Sequence, residues 1–138
     1  MPEQLASRYT KSDLLDAARA QGTSATARRI TDWVSVGLLD KPAAHGRGRG
    51  KGVERMWPEN QLKLFLVLLN KRREVRHIAA LCNIPVMLWL YWGVDYVPVR
   101  QLRKALATYN RPLLATSARA ARQNARRVIA QLLSLIHI

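Results

Sequence analysis

Apolar residues recur along this chain in short helical stripes, separated by glycine and proline stops. Leu14, Leu15 and Ala18 form the first stripe; Thr10 stands ahead of it as a hydroxyl cap, with Asp13 at the third helical position. Tyr9 and Leu14 fall where a hydrophobic staple is expected, and Gly22 closes the helix. After a turn through Thr23 and Ser24, Ile30, Trp33 and Val34 repeat at i, i+3, i+4. That spacing predicts a helix from about Ala27 to Val36, opened by Thr26 and closed by Gly37. Arg28, Arg29, Thr31, Asp32 and Ser35 are left on its outer side, while Leu38 and Leu39 return to the core.

The pattern then changes period. Two short extended pieces, around Lys41 to Ala44 and Val53 to Trp57, flank the glycine-rich segment HGRGRGKG (His45–Gly52) and predict a β-hairpin wing. Pro58 suits the first position of a third helix reaching about Arg73, with Leu62, Phe65, Leu66 and Leu69 as its inner stripe. A shorter helix is expected from Val75 to Leu81. The predicted fold is mainly α: a winged helix-turn-helix with a short two-stranded β wing, followed by additional C-terminal helices. The expected layout is an N-terminal arm (1–8), the winged domain (9–82), an apolar and aromatic connector (83–97) and a basic helical tail (98–132), interrupted at Pro112. The last six residues, LSLIHI (133–138), resemble one reading frame of a transposase mosaic-end sequencing adapter. They are expected to be non-native, with the native C-terminus truncated; a natural apolar helix end is the alternative.

Charge narrows the partner. Lys and Arg number 23 against 9 Asp and Glu, a net charge of +14 that favours a polyanion, either nucleic acid or an anionic membrane surface. The longest apolar run, Ile84 to Val94, contains Pro85 and Gly93 and falls well short of the ~20 residues of a spanning helix. The N-terminus has no apolar run after its charges and does not read as a secretory signal, so a cytoplasmic, nucleoid-associated location is expected. Cys82 is the only cysteine, which excludes an intrachain disulfide framework or a cysteine zinc site. His45, His77 and His137 pair with no nucleophile by sequence, and no phosphate-binding GxxxxGK signature is present. No enzyme activity, cofactor or metal is therefore expected.

Arg28, Arg29 and Thr31 sit where a helix entering a major groove meets phosphates and base edges. Alternation of glycine with Arg47, Arg49 and Lys51 lets the wing backbone approach DNA while each cation reaches a phosphate, and Arg55 stands at the wing's end. Solvated charges are the bland counterpart, with Arg28 or Arg29 paired to Asp32. Lys71, Arg72, Arg73 and Arg76 form a second basic cluster that a solvated helix end explains almost as well. Trp57 reads as a core anchor, and Trp89, Tyr91 and Trp92 as core or dimer interface rather than a pocket.

Taken with GLLDK and RMWPENQLKLF, the stretch from about Tyr9 to Leu81 resembles the MerR-type winged helix-turn-helix family. The residues carrying the resemblance are Thr26, Arg28, Trp33, Ser35, Gly37-Leu38-Leu39, Arg55 and Trp57. Asp32 replaces the first aromatic of the family's pair, Thr31 stands where arginine is usual, and the turn before Thr26 is longer. The resemblance implies sequence-specific binding of double-stranded DNA by a bacterial transcription regulator, with a possible homodimer through C-terminal helices. It implies effector-driven activation less firmly, because the family's sensing residues lie beyond the match. Two other readings stay open: a DNA-bending architectural factor such as an excisionase, and an RNA-binding or protein-interaction adaptor.

Overall fold

The computed structural model describes residues 7–46, 49–50, 52–114 and 118–136. In chain order the elements are β1 (Arg8–Tyr9), α1 (Lys11–Ala20), α2 (Ala27–Val36), β2 (Ala43–Gly46), β3 (Val53–Pro58) and α3 (Glu59–Lys71). They continue with α4 (Ile78–Leu81), α5 (Asn83–Trp92), α6 (Val99–Leu114) and α7 (Ala118–Ile136). The fold is mainly helical with one small antiparallel sheet in the order β1-β3-β2.

Helix starts follow the caps in the sequence. The Asp13 N–H donates to Thr10 Oγ1 at 3.2 Å and the Thr10 N–H donates back to Asp13 Oδ2 at 2.9 Å, a reciprocal capping box for α1. Thr26 Oγ1 accepts from the Arg29 N–H at 3.1 Å and starts α2. Gly37 ends α2 in the left-handed region, at φ 91°.

The inward stripes meet in one core. Leu14 and Ala18 of α1, Ile30 and Trp33 of α2, and Leu64, Phe65, Leu68 and Leu69 of α3 are buried together. Trp33 meets Phe65 edge-on with centroids 5.7 Å apart, a geometry that adds roughly 0.5–1.5 kcal/mol beyond area burial. The hairpin pairs Ala43 with Met56 through to Gly46 with Val53. A third strand joins it, because Arg8 and Tyr9 pair with Pro58 and Trp57.

Several boundaries differ from the sequence reading. Pro58 caps α3 from an extended conformation, so the helix begins at Glu59 and ends at Lys71. Most of the segment read as a connector is α5, and the first half of the basic tail is α6. Val86, Val97, Leu102 and Ala105 from these segments belong to the same core as Trp33 and Phe65. Helix α6 runs on past Pro112 to Leu114, where an interruption had been expected.

A buried polar network locks α6 onto the end of α2. Gln101 Nε2 donates to the carbonyls of Leu38 (3.0 Å) and Gly37 (3.3 Å), and Thr108 Oγ1 donates to that of Val36 at 2.7 Å. Gln61, 1% exposed, donates to Gln101 Oε1 at 2.8 Å and accepts from the Asp40 N–H at 2.9 Å. The Trp57 indole donates to Asp40 O at 2.7 Å, and Arg100 grips both Asp40 carboxylate oxygens at 2.8 and 2.6 Å.

Gly37 is where the two helices touch main chain to main chain. A Cβ there would lie 2.7 Å from Lys104 C and 2.8 Å from Ala105 Cα, and closer still to Ala105 N. Gly37→Ala must both hold a left-handed side chain and push α6 away, an expected loss of about 2–4 kcal/mol in urea denaturation. Gly22→Ala, also left-handed (φ 77°) but with open space around it, is expected to cost only about 1 kcal/mol. Equal losses would show that backbone conformation alone, not the α6 contact, makes Gly37 necessary.

Candidate nucleic-acid interface

The outer face of α2 is presented without a cover. Arg28, Thr31, Asp32 and Ser35 are all exposed, and Arg28 meets Asp32 only at 3.9 Å, with side chains 90% and 65% accessible. At that exposure an ion pair contributes little and leaves Arg28 free to exchange partners. No acidic residue occupies the first turn of α2, so the positive end of its dipole is uncompensated.

On one flank, α1 and the wing close in. Lys11 Nζ donates to Thr31 Oγ1 at 2.9 Å, and Thr31 Oγ1 in turn donates to Ala27 O at 3.3 Å. Lys11, Thr31, Pro42, Arg55 and Trp57 line a cleft of about 190 Å³. Burial of Trp57 sets the direction of β3, and Arg55, two residues earlier on the same face of the strand, is delivered beside α2. Arg8 Nη1 donates to His45 Nε2 at 2.7 Å, tying β1 to β2 across the central strand.

On the other flank, Arg29 turns away from the outer face towards the C-terminal end of α3. It shares a cavity of about 300 Å³ with Arg28, Asp32 and Arg72. A neighbouring one, lined by Thr23, Arg29, Arg72 and Arg73, is floored by the α1–α2 turn. Arg73 Nη2 donates to Thr23 Oγ1 at 3.3 Å. Partial burial and, second, the nearby Arg72 charge press the Arg29 pKa down. Arg29 and Arg72 lining one cavity concentrate positive charge at the end of α3.

Of the seven residues expected from sequence, the structure brings Thr31 and Arg55 into one cleft and places Arg28 and Arg29 on adjacent faces of α2. Arg49 is exposed in the hairpin loop, whereas Arg47 and Lys51 lie outside the described residues. Lys11 was missed. Its signal was the sign of its charge, because a lysine in the first turn of a helix opposes the dipole. The cluster of Arg72 and Arg73 was visible in sequence, but its convergence on Arg29 was not.

The aromatic residues divide. Trp89 packs partly buried against the core, while Tyr91 and Trp92 are 53% and 58% exposed, so the core reading holds for the first alone. Trp92 meets Tyr96 in a tilted ring contact, with centroids 5.7 Å apart. Among the described residues no group of three or more His, Cys, Asp or Glu converges as a metal site, and no helix is long and apolar enough to cross a membrane.

Cys82 is buried behind α2, its thiol donating to Val36 O at 3.6 Å. Burial pushes its pKa up to about 11, outweighing the Thr108 hydrogen bond and the Arg111 charge, which act the other way. A thiol shifted from 9.0 to about 11 holds roughly a hundredfold less thiolate at pH 8, before access is counted. A colorimetric disulfide reagent is therefore expected to label Cys82 only after denaturant is added; rapid labelling of the native chain would contradict its burial.

No known protein family, curated protein or solved structure matches this chain.

Proposed function

We propose that this chain binds duplex DNA sequence-specifically, with α2 in the major groove, and acts as a bacterial transcription regulator of the MerR-like kind. The observation that carries the reading is the open outer face of α2, where a cation and hydrogen-bonding groups stand between two flanking sets of cations. Arg28 and Thr31 face base edges, and Asp32 orients Arg28 or accepts from cytosine. Lys11, Arg55 and Arg49, with Arg47 and Lys51 of the wing, contact one stretch of phosphates; Arg29, Arg72 and Arg73 contact another.

Pairing of two copies would supply the affinity that one α2 lacks. Ile129, 55% exposed on α7 ahead of the last six residues, supports a homodimer through C-terminal helices. Cytoplasmic, nucleoid-associated residence follows from the same proposal.

The test is selection from a random duplex pool, followed by salt titrations on the winner and on scrambled DNA. An enriched inverted repeat with a large affinity gap over scrambled DNA is the expected result. Arg28→Gln is expected to lose about 1–3 kcal/mol on the selected site and to relax preference at one base step. Salt-sensitive binding indifferent to sequence would overturn specific recognition and favour the architectural or RNA-binding reading.

A further inference from the structure

A second groove runs beside the wing, on the side of Arg55 that faces α6. It encloses about 370 Å³ and is lined by Lys41, Pro42, Ala43, Ala44, Arg55 and Arg100. Its cations come from three places: the loop after α2, strand β3 and the first turn of α6. The carboxylate that grips Arg100, that of Asp40, is 5% exposed and fully engaged. Its two oxygens accept from Arg100 Nε and Nη2, while the Asp40 main-chain N–H donates to Gln61 Oε1 and the main-chain carbonyl accepts from the Trp57 indole.

Arg100 is not exhausted by that pair. A guanidinium carries five N–H donors and Asp40 takes two, while the Arg100 side chain remains 62% accessible. The pair therefore orients the guanidinium against the groove and leaves donors for another acceptor. Three cations against one carboxylate give the groove a surplus of two positive charges. Ala43 and Ala44 keep its floor shallow, so a ligand can come close to the main chain of β2, which is an edge strand.

Arg55 lines both this groove and the cleft with Lys11 and Thr31. With Pro42 also shared, the two are neighbours on either side of Arg55 at the root of the wing. We propose that Lys41, Arg55 and Arg100 hold a backbone phosphate of the bound duplex, so that the DNA track passes from α2 around the wing root onto α6. This assignment rests on the duplex-binding reading and adds to it Lys41 and Arg100, neither of which belongs to α2 or the wing strands.

The experiment is fluorescence anisotropy on the selected duplex across a salt series, with the full chain and the variants Lys41→Gln, Arg100→Lys and Arg28→Gln. Lys41 is exposed, so Lys41→Gln is expected to keep the native melting temperature. It is expected to weaken selected and scrambled DNA alike by roughly five- to tenfold and to make the log K against log salt slope shallower by about 0.9. Arg100→Lys keeps the charge beside Asp40 but loses the fork, and is expected to weaken binding with little change in slope. An unchanged affinity and slope for Lys41→Gln, beside a clear loss for Arg28→Gln, would overturn the groove while leaving the duplex reading intact. Failure of the unmodified chain to bind duplex DNA at all would overturn both.

Discussion

The main-chain contact at Gly37 is the constraint on which the rest of this structure depends. A helix end leaves carbonyls without intrahelical partners, and these are ordinarily met by water or by a local turn. At the end of α2 a local turn meets the Trp33 and Val34 carbonyls, but those that follow are met by side chains from distant elements. Thr108 and Cys82 donate to Val36 O, and Gln101 donates to Gly37 O and Leu38 O. Thr108 and Gln101 reach the carbonyls because glycine lets the α6 backbone approach to within the space of a missing Cβ. Helix α6 thus completes the cap that Gly37 begins, from more than sixty residues downstream.

Placement of the wing follows from the same joint. Asp40 leaves it with its N–H on Gln61, its carbonyl on the Trp57 indole and its carboxylate on Arg100. Each of these partners sits on a different element: α3, β3 and α6. The direction of the hairpin relative to α2 is thereby set by buried hydrogen bonds rather than by the glycine loop at its far end. The proposed interface needs its contacting groups held on rigid elements with their own support, and the network of Gln61, Gln101 and Asp40 supplies such support. Cutting one member strands several buried partners at once, which is why such networks are costly to disturb.

Much of the fold was legible from local signals. Thr10 with Asp13, Thr26 and Gly37 act within a few residues of themselves, and the stripe Ile30, Trp33, Val34 depends only on helical period. What escaped depends on partners distant in sequence. Gln61 and Gln101 look like surface residues in any window, and become interior only because each satisfies the other and the Gly37–Asp40 turn. Strand β1 is two residues long, too short to show alternation, and exists because Trp57 and Pro58 offer it an edge. Arg28 and Arg29 are adjacent in sequence and equivalent by composition. The 100° step of the helix separates them, leaving one exposed and pressing the other against Arg72. Lys11 and Lys41 carried no pattern of their own, and their roles arise from the elements that fold beside them.

Charge alone does not separate the two polyanions that a basic chain can meet. A lipid surface is engaged by cations interleaved with apolar side chains that enter the acyl boundary. On α2 the exposed residues between and beside the cations are Ala27, Thr31, Asp32 and Ser35, which offer hydrogen bonds and little apolar area. The exposed aromatic and aliphatic residues Tyr91, Trp92, Val94, Tyr96 and Val99 belong instead to the α5–α6 turn. An acid held within the basic face also argues for a structured ligand. Asp32 would be repelled by a uniform anionic surface, whereas a groove edge presents donors such as the cytosine amino group as well as phosphates. Mixed polarity on the outer face of α2 thus favours a partner whose own donors and acceptors alternate over a few ångströms, and duplex DNA has that property.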